Sequence, residues 1–192
     1  MGSDRGHRAA AMRLGRFELW TLNNALRRFV QRRFELPIFQ RLLEAHGIDL
    51  RGKVIVDAGC GSGYDAWLLS QVFAPSRLVA FDIMPEQIAL ARELDLDAEI
   101  DIGDVTAMRE ASGSCDAVFL FGVLHHIAAW RRALVEIARI LKPGGVLLLE
   151  EPKVGFTWKE IEAGIRSAGL ELLGCKRFLL GFFRSYLCQK PG

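Results

Sequence analysis

A chain of 192 residues with 51% hydrophobic composition is one domain by length, with apolar residues enough for a sizeable core. No apolar run reaches the ~20 residues of a membrane span. The four cysteines (Cys60, Cys115, Cys175 and Cys188) are scattered, with no CxxC pair and no Cys/His cluster, which argues against a metal site and for reduced thiols in a cytoplasmic protein. The net charge of +2 hides an asymmetry: residues 1–33 hold eight arginines against Asp4 and Glu18, a local +6, so the rest carries −4.

The chain begins without the apolar centre of a secretory signal. Residues 1–11 are expected to be disordered or foreign to the native protein, with Met12 as an alternative start. Helices are predicted at about 16–33 and 36–47, an extension over 1–48 that precedes a domain over 49–192. The first helix has an apolar side of Phe17, Trp20, Leu22, Leu26, Phe29 and Val30 and a basic cluster of Arg27, Arg28, Arg32 and Arg33. That cluster is either a solvated face or a contact for an anionic acceptor or lipid surface. No basic pattern interleaved with aromatics continues elsewhere, which disfavours nucleic acid.

Strand 53–58 then runs into Gly59-Cys-Gly-Ser-Gly63, and a helix is predicted over 63–74. A strand, a side-chain-free loop and a helix N-terminus form a cofactor cradle. A dinucleotide fingerprint needs a third glycine where this chain has Tyr64. Strand 77–82 ends in Asp82, twenty-three residues after Gly59, where a carboxylate can accept from both hydroxyls of a ribose. Helix 85–95 opens on Pro85. Strand 98–102, a short helical piece near 105–110 that Asp104 would cap, and strand 116–121 follow. Helix 127–142 has Ile127, Leu134, Ile137, Ala138 and Leu141 at helical spacing. After the Pro143-Gly-Gly turn come strand 145–150 and helix 157–169, opened by Thr157 with Glu160 three residues on. The tail 170–189 reads as two strands around Gly181, and its aromatic stretch Phe178–Tyr186 is expected to be core or a dimer face. Alternating strands and helices predict an α/β, doubly wound sheet.

The ordered set DAGCGSG, FDIMPEQI, IGDV, DAVFLFGVLHHI and LKPGGVLLLEE, over about residues 50–151, resembles the class I S-adenosylmethionine-dependent methyltransferases, in particular their small-molecule branch. The resemblance implies a Rossmann-like sheet of seven strands in the order 3-2-1-4-5-7-6, the last strand antiparallel, with helices on both faces. It implies S-adenosylmethionine as methyl donor, S-adenosylhomocysteine as product, and a small or lipid-like acceptor. Asp57 and the Gly59, Cys60, Gly61 and Gly63 loop would meet the methionine end of the donor, Asp57 alternatively serving only to cap the loop. Asp82 would take the ribose, Ile83 and Met84 would flank the adenine, and Asp104 and Val105 would pair with the ring. Phe121 and Gly122 would close the methionine side. Two readings stay open beside this one: a catalytically silent cofactor-binding or regulatory member of the fold, and an NAD(P)-dependent oxidoreductase.

Catalytic residues are less legible. His125 and His126 are weak candidates for a base or an acceptor-orienting group. Glu150 and Glu151 either bind a cationic acceptor or stabilise the next turn. Only Pro152–Phe156 separate the fifth strand from its helix, too few for a substrate-covering insertion, so the acceptor pocket must be roofed by the N-terminal helices or a partner subunit, or stay open. A monomer or a homodimer is compatible with all of this.

Overall fold

The computed structural model describes residues 25–192. The apolar positions Phe17, Trp20 and Leu22 and the first 11 residues lie outside them. Seven strands form where apolar runs were read: β1 (Val54–Ala58), β2 (Arg77–Asp82), β3 (Glu99–Ile102), β4 (Cys115–Phe121), β5 (Leu141–Pro152), β6 (Glu171–Phe178) and β7 (Phe183–Gln189). They make one sheet in the order β3-β2-β1-β4-β5-β7-β6. β7 is antiparallel to both of its neighbours and the remaining pairs are parallel. This is the predicted fold class. The central strands are buried on both faces, which is why they read as continuous apolar runs instead of alternating ones.

Two apolar layers cover the sheet. On one face, α2 (Leu36–Ala45) and α3 (Tyr64–Phe73) bury Phe39, Leu43 and Leu69 against Ile55, Phe119 and Leu148, with Ile88 of α4 (Pro85–Ala91) added. On the other, α5 (Trp130–Ile140) and α6 (Trp158–Ser167) bury Leu134, Ile137 and Ile161 against Val56, Val118 and Leu147. Neighbouring residues on a strand therefore serve opposite layers. At the end of β5 the same alternation sends Glu150 to one face and Glu151 to the other. Thr157 caps α6 with the predicted reciprocal box: its side chain accepts from the Glu160 N–H, and Glu160 reaches back to the Thr157 N–H at 2.7 Å.

Several boundaries differ from expectation. The break foreseen between residues 33 and 36 is absent. α1 (Ala25–Val30) passes into α2 through a π-helical turn, Gln31–Glu35, in which the Leu36 N–H donates to the Gln31 carbonyl. Pro37 has no N–H to give to the carbonyl four residues back, and the wider turn absorbs that defect without ending the helix. The helical piece near 105–110 does not form. Asp104 Oδ1 instead accepts from both the N–H and the hydroxyl of Thr106, closing a turn that competes with helix. Leu124–His126 form a 3-10 turn ahead of α5. β5 begins at Leu141, so Pro143-Gly-Gly lies within it, at a register irregularity against β4. The aromatic tail divides: Tyr186 is core, whereas Leu179, Leu180 and Phe182 at the β6–β7 tip are exposed.

Candidate active site

The C-terminal ends of β1, β2, β4 and β5 open onto a cavity of about 630 Å³, within the range of cofactor sites. Ten of the twelve residues proposed from sequence for cofactor contact stand on its wall: Gly59, Cys60, Gly61, Asp82, Ile83, Met84, Asp104, Val105, Phe121 and Gly122. His125 and His126 are there as well. Asp57 and Gly63 stand behind the wall. Gly63, at φ 84°, begins α3 and lies so close to α4 that a Cβ would come within 2.9 Å of the Ala91 Cβ. Asp57 is buried beneath the loop, where it accepts from the Ala66 N–H while its Oδ2 has no partner.

The loop is anchored on the neighbouring strand. The Gly59 and Cys60 N–H groups donate to the Phe81 carbonyl at 2.8 and 3.0 Å. Gly59 has φ 82°, and a Cβ there would lie 2.6 Å from Val123 Cγ2, so only glycine lets β1 turn this tightly under the β4 loop. Asp82 is held from both sides: Oδ2 accepts from the Gly61 N–H at 3.0 Å and Oδ1 from the Met84 N–H at 2.9 Å. Burial raises its pKa against the opposing pull of those N–H groups. Each oxygen keeps a second lone pair to offer.

At the other end of the cavity, the fully buried Glu151 organises the loop after β4. Its Oε1 accepts from the N–H groups of Val123 and Leu124 at 2.9 and 2.7 Å. Its Oε2 accepts from the His125 N–H and, at 2.7 Å, from His125 Nδ1. An acceptor-only carboxylate fixes the ring proton on Nδ1, which leaves Nε2 as the basic nitrogen. The His126 ring packs beside it, with centroids 3.8 Å apart. Of the two readings for this acidic pair, a turn-stabilising role comes nearer for Glu151, but the loop it holds is the one after β4 and not the turn that follows its own strand.

Sequence reasoning missed a third region. Arg27 and Gln31, from α1 and the π turn, line the cavity together with Asp65 of α3 and Glu150 of β5. Of the three ways foreseen for covering the acceptor pocket (the N-terminal helices, a partner subunit, or no cover), these residues bear on the first, since α1 and the π turn supply part of the cavity wall. Arg27 is paired with buried Glu35, and Gln31 Nε2 donates to Asp65 Oδ2 at 2.8 Å. Asp65 and Glu35 stand in otherwise apolar surroundings, YDAWLL and RFELPI, and that mismatch was the available signal.

Burial lifts the pKa of Asp65 to about 7, raises Glu35, and holds Glu150 and Asp57 well above the usual carboxylate range. A carboxyl that binds its proton more tightly folded than unfolded stabilises the fold fully below its unfolded pKa. It loses that contribution as pH rises through the folded value. The ligand-free protein is therefore expected to unfold at lower urea concentration at pH 8 than at pH 5. A midpoint that is flat or rising across that window would show that these carboxyls are ionised at both ends.

A family profile described as a methyltransferase domain matches residues 56–149. The chain is 34% identical over 111 residues to a ubiquinone biosynthesis O-methyltransferase of Xanthomonas oryzae, covering 53% of this chain and 44% of that protein. It is also 34% identical over 117 residues to a tRNA U34 carboxymethyltransferase of Desulfotalea psychrophila, covering 56% and 35%. In structure it is similar to a SAM-dependent methyltransferase from Aquifex aeolicus, with a TM-score of 0.76 at 15% identity over 93% of this chain and 100% of that one.

The chain belongs to the class I S-adenosylmethionine-dependent methyltransferases. It spans less than half the length of these two sequence relatives. The family's cofactor is S-adenosylmethionine, and the cavity of this chain fits it. Asp82 and the glycine loop line the cavity, a Cβ on Gly61 would meet nothing within 4 Å, and the buried Asp57 Oδ2 has no hydrogen-bond partner. A relative named for tRNA does not sustain the exclusion of nucleic acid drawn from the charge pattern. Among the described residues no helix is long and apolar enough to cross a membrane.

Proposed function

We propose that this chain transfers a methyl group from S-adenosylmethionine to a small or lipid-like acceptor, with His125 as the group that receives the acceptor's proton. The observation that carries the reading is the pairing, in one cavity, of a ribose-type carboxylate at Asp82 with a carboxylate-held imidazole at His125. When bound, the cofactor supplies a methyl group on a sulfonium, already activated for displacement. The protein's work is then to hold two reactants in line and to manage one proton.

The residues divide accordingly. Asp82 accepts the ribose hydroxyls on the lone pairs left by Gly61 and Met84. Ile83 and Met84 flank the adenine, Asp104 accepts from its amino group, and the Val105 N–H donates to the ring. The Gly59–Gly61 carbonyls, with Asp57 behind them, attract the ammonium of the methionine end, and Phe121 and Gly122 close that side. His125 Nε2 takes a proton from the acceptor while Glu151 balances the imidazolium that results. His126 packs its ring against that of His125. Arg27 and Gln31 close the acceptor end, which supports a small ligand over an extended nucleic-acid strand.

Turnover of methyl-labelled S-adenosylmethionine against amine, phenol, carboxylate and tRNA acceptors, beside binding titrations, tests the reading. Saturable binding with transfer to at least one small acceptor is expected. Binding without transfer to any acceptor would favour a silent cofactor-binding protein. Saturable NAD(H) binding with no response to S-adenosylmethionine would overturn the reading altogether.

A further inference from the structure

The least expected part of the cavity is the acidic chamber between the N-terminal helix and the end of β5. Three carboxyl groups meet there. Glu35 comes from the π turn, Asp65 from the first turn of α3, and Glu150 from the last turns of β5 before the loop. All three are buried. One guanidinium, Arg27, is placed among them and is paired with Glu35. Gln31 satisfies Asp65 Oδ2. Asp65 Oδ1 has no hydrogen-bond partner, and the Glu35 and Glu150 carboxyls meet each other, a contact that needs a proton on one of them. Asp65 and Glu150 lie on the cavity wall, and Glu35 stands directly behind.

The chemistry of these carboxyls selects a ligand class. Three of them crowd around the Arg27 guanidinium in a place with little water, where burial favours the protonated form until a cation enters and takes the place of those protons. An anion gains nothing from them, and a neutral alcohol offers a single donor and no charge. A protonated primary amine offers three donors, one positive charge and no acceptor to leave unmatched. We propose that the methyl acceptor carries a protonated amine, which this chamber binds through Glu150 and Asp65. His125 lines the same cavity but is bonded to Glu151 and not to this cluster, so the amine is the handle by which the acceptor is held and a second group of the acceptor receives the methyl. The inference rests on the methyltransferase reading for the role of the ligand, but not for its charge.

The π turn explains why the chamber exists. A regular helix would rotate Gln31 and Glu35 relative to Leu36 and Phe39, which are core. The extra residue in the turn lets both sets of side chains be buried, Leu36 and Phe39 in the core, Gln31 on the cavity wall and Glu35 behind it. The tight packing of α2 on the sheet thus carries two buried polar side chains to the end of β5.

The test uses protein saturated with S-adenosylhomocysteine and titrated calorimetrically with two probes of one shape, cyclohexylmethylamine and cyclohexylmethanol. The amine is expected to bind at least about tenfold more tightly than the alcohol, the difference made by one charge-assisted hydrogen-bond set. Glu150→Gln keeps the side chain's size, removes the carboxyl that can give up its proton to an entering ammonium, and is expected to bring the two probes within about threefold of each other. Asp65→Asn does the same by a second route and covers the case in which one variant folds poorly, which unfolding in urea reports directly. S-adenosylhomocysteine affinity stays within about twofold of the parent in both variants. Equal binding of amine and alcohol by the parent, or no measurable amine binding at millimolar concentration, overturns the inference. So does a Glu150→Gln variant that loses S-adenosylhomocysteine affinity, because the chamber would then serve the cofactor's own ammonium. Failure of the parent to bind S-adenosylhomocysteine at all would sink the methyltransferase reading. Amine preference in the protein without cofactor would still stand or fall by itself.

Discussion

Glu151→Ala is expected to lower the stability of the folded protein by about 3–5 kcal/mol, the cost of stranding several hydrogen-bond donors around one buried acceptor. The size follows from what the carboxylate holds. Three backbone N–H groups, of Val123, Leu124 and His125, and the Nδ1–H of His125 all end on its two oxygens. Each donor left without an acceptor costs about 1–3 kcal/mol unless water replaces the carboxylate. The site is fully buried, so replacement is partial. Denaturant unfolding reads the loss. Glu151→Gln fills the same space with one good acceptor and is expected to cost roughly half as much. The kinetic signature is separate: with Nδ1 no longer fixed as the donor, kcat falls while affinity for S-adenosylhomocysteine stays near that of the parent. An alanine variant that loses less than about 1 kcal/mol would show that the loop is held by its apolar contacts.

Asp82→Ala is expected to weaken S-adenosylhomocysteine binding by about 1–3 kcal/mol, or roughly 5- to 150-fold, since the ribose hydroxyls lose their acceptor while remaining out of water. The same change strips an acceptor from the Gly61 and Met84 N–H groups, so the cradle loosens even before ligand arrives. Asp82→Asn separates the two effects, because one amide oxygen can serve one of those N–H groups but not both. Calorimetric titration of the two variants gives the order parent, asparagine, alanine in decreasing affinity. Unchanged affinity in the alanine variant would remove Asp82 from the site.

How much of this was legible in the sequence depends on the range of the interaction. Glycines at 59, 61 and 63 and the acid at 82 are local signals, each set by the backbone within a few residues, and their arrangement around one cavity follows from the parallel order of β1, β2 and β4. The capping box at Thr157 and Glu160 is likewise local and was readable. The turn at Asp104 was misread as a helix because an aspartate with a hydroxyl two residues on supports either structure, and the hydrogen bonds to Thr106 decide it. The continuous helix through Pro37 was misread because proline usually marks a boundary. The burial of Leu36, Phe39, Leu42 and Leu43 outweighs one missing hydrogen bond.

Glu150 and Glu151 show the limit most clearly. They are adjacent, chemically identical and equally buried, and nothing in LLLEEP distinguishes them. The pleat of β5 sends one toward the N-terminal helix, among three other charged groups, and the other toward the His125 loop, among four donors. The sequence by itself determined the class of fold through the periodicity of its elements, and its short, ordered motifs carried the resemblance that implied the strand order and the methyl donor. Only the tertiary structure decided which carboxylate orients the imidazole and which is buried beside Glu35. Those roles are set by contacts 26 to 34 residues apart or more, and the charge of a buried group has no meaning until its neighbours in space are known.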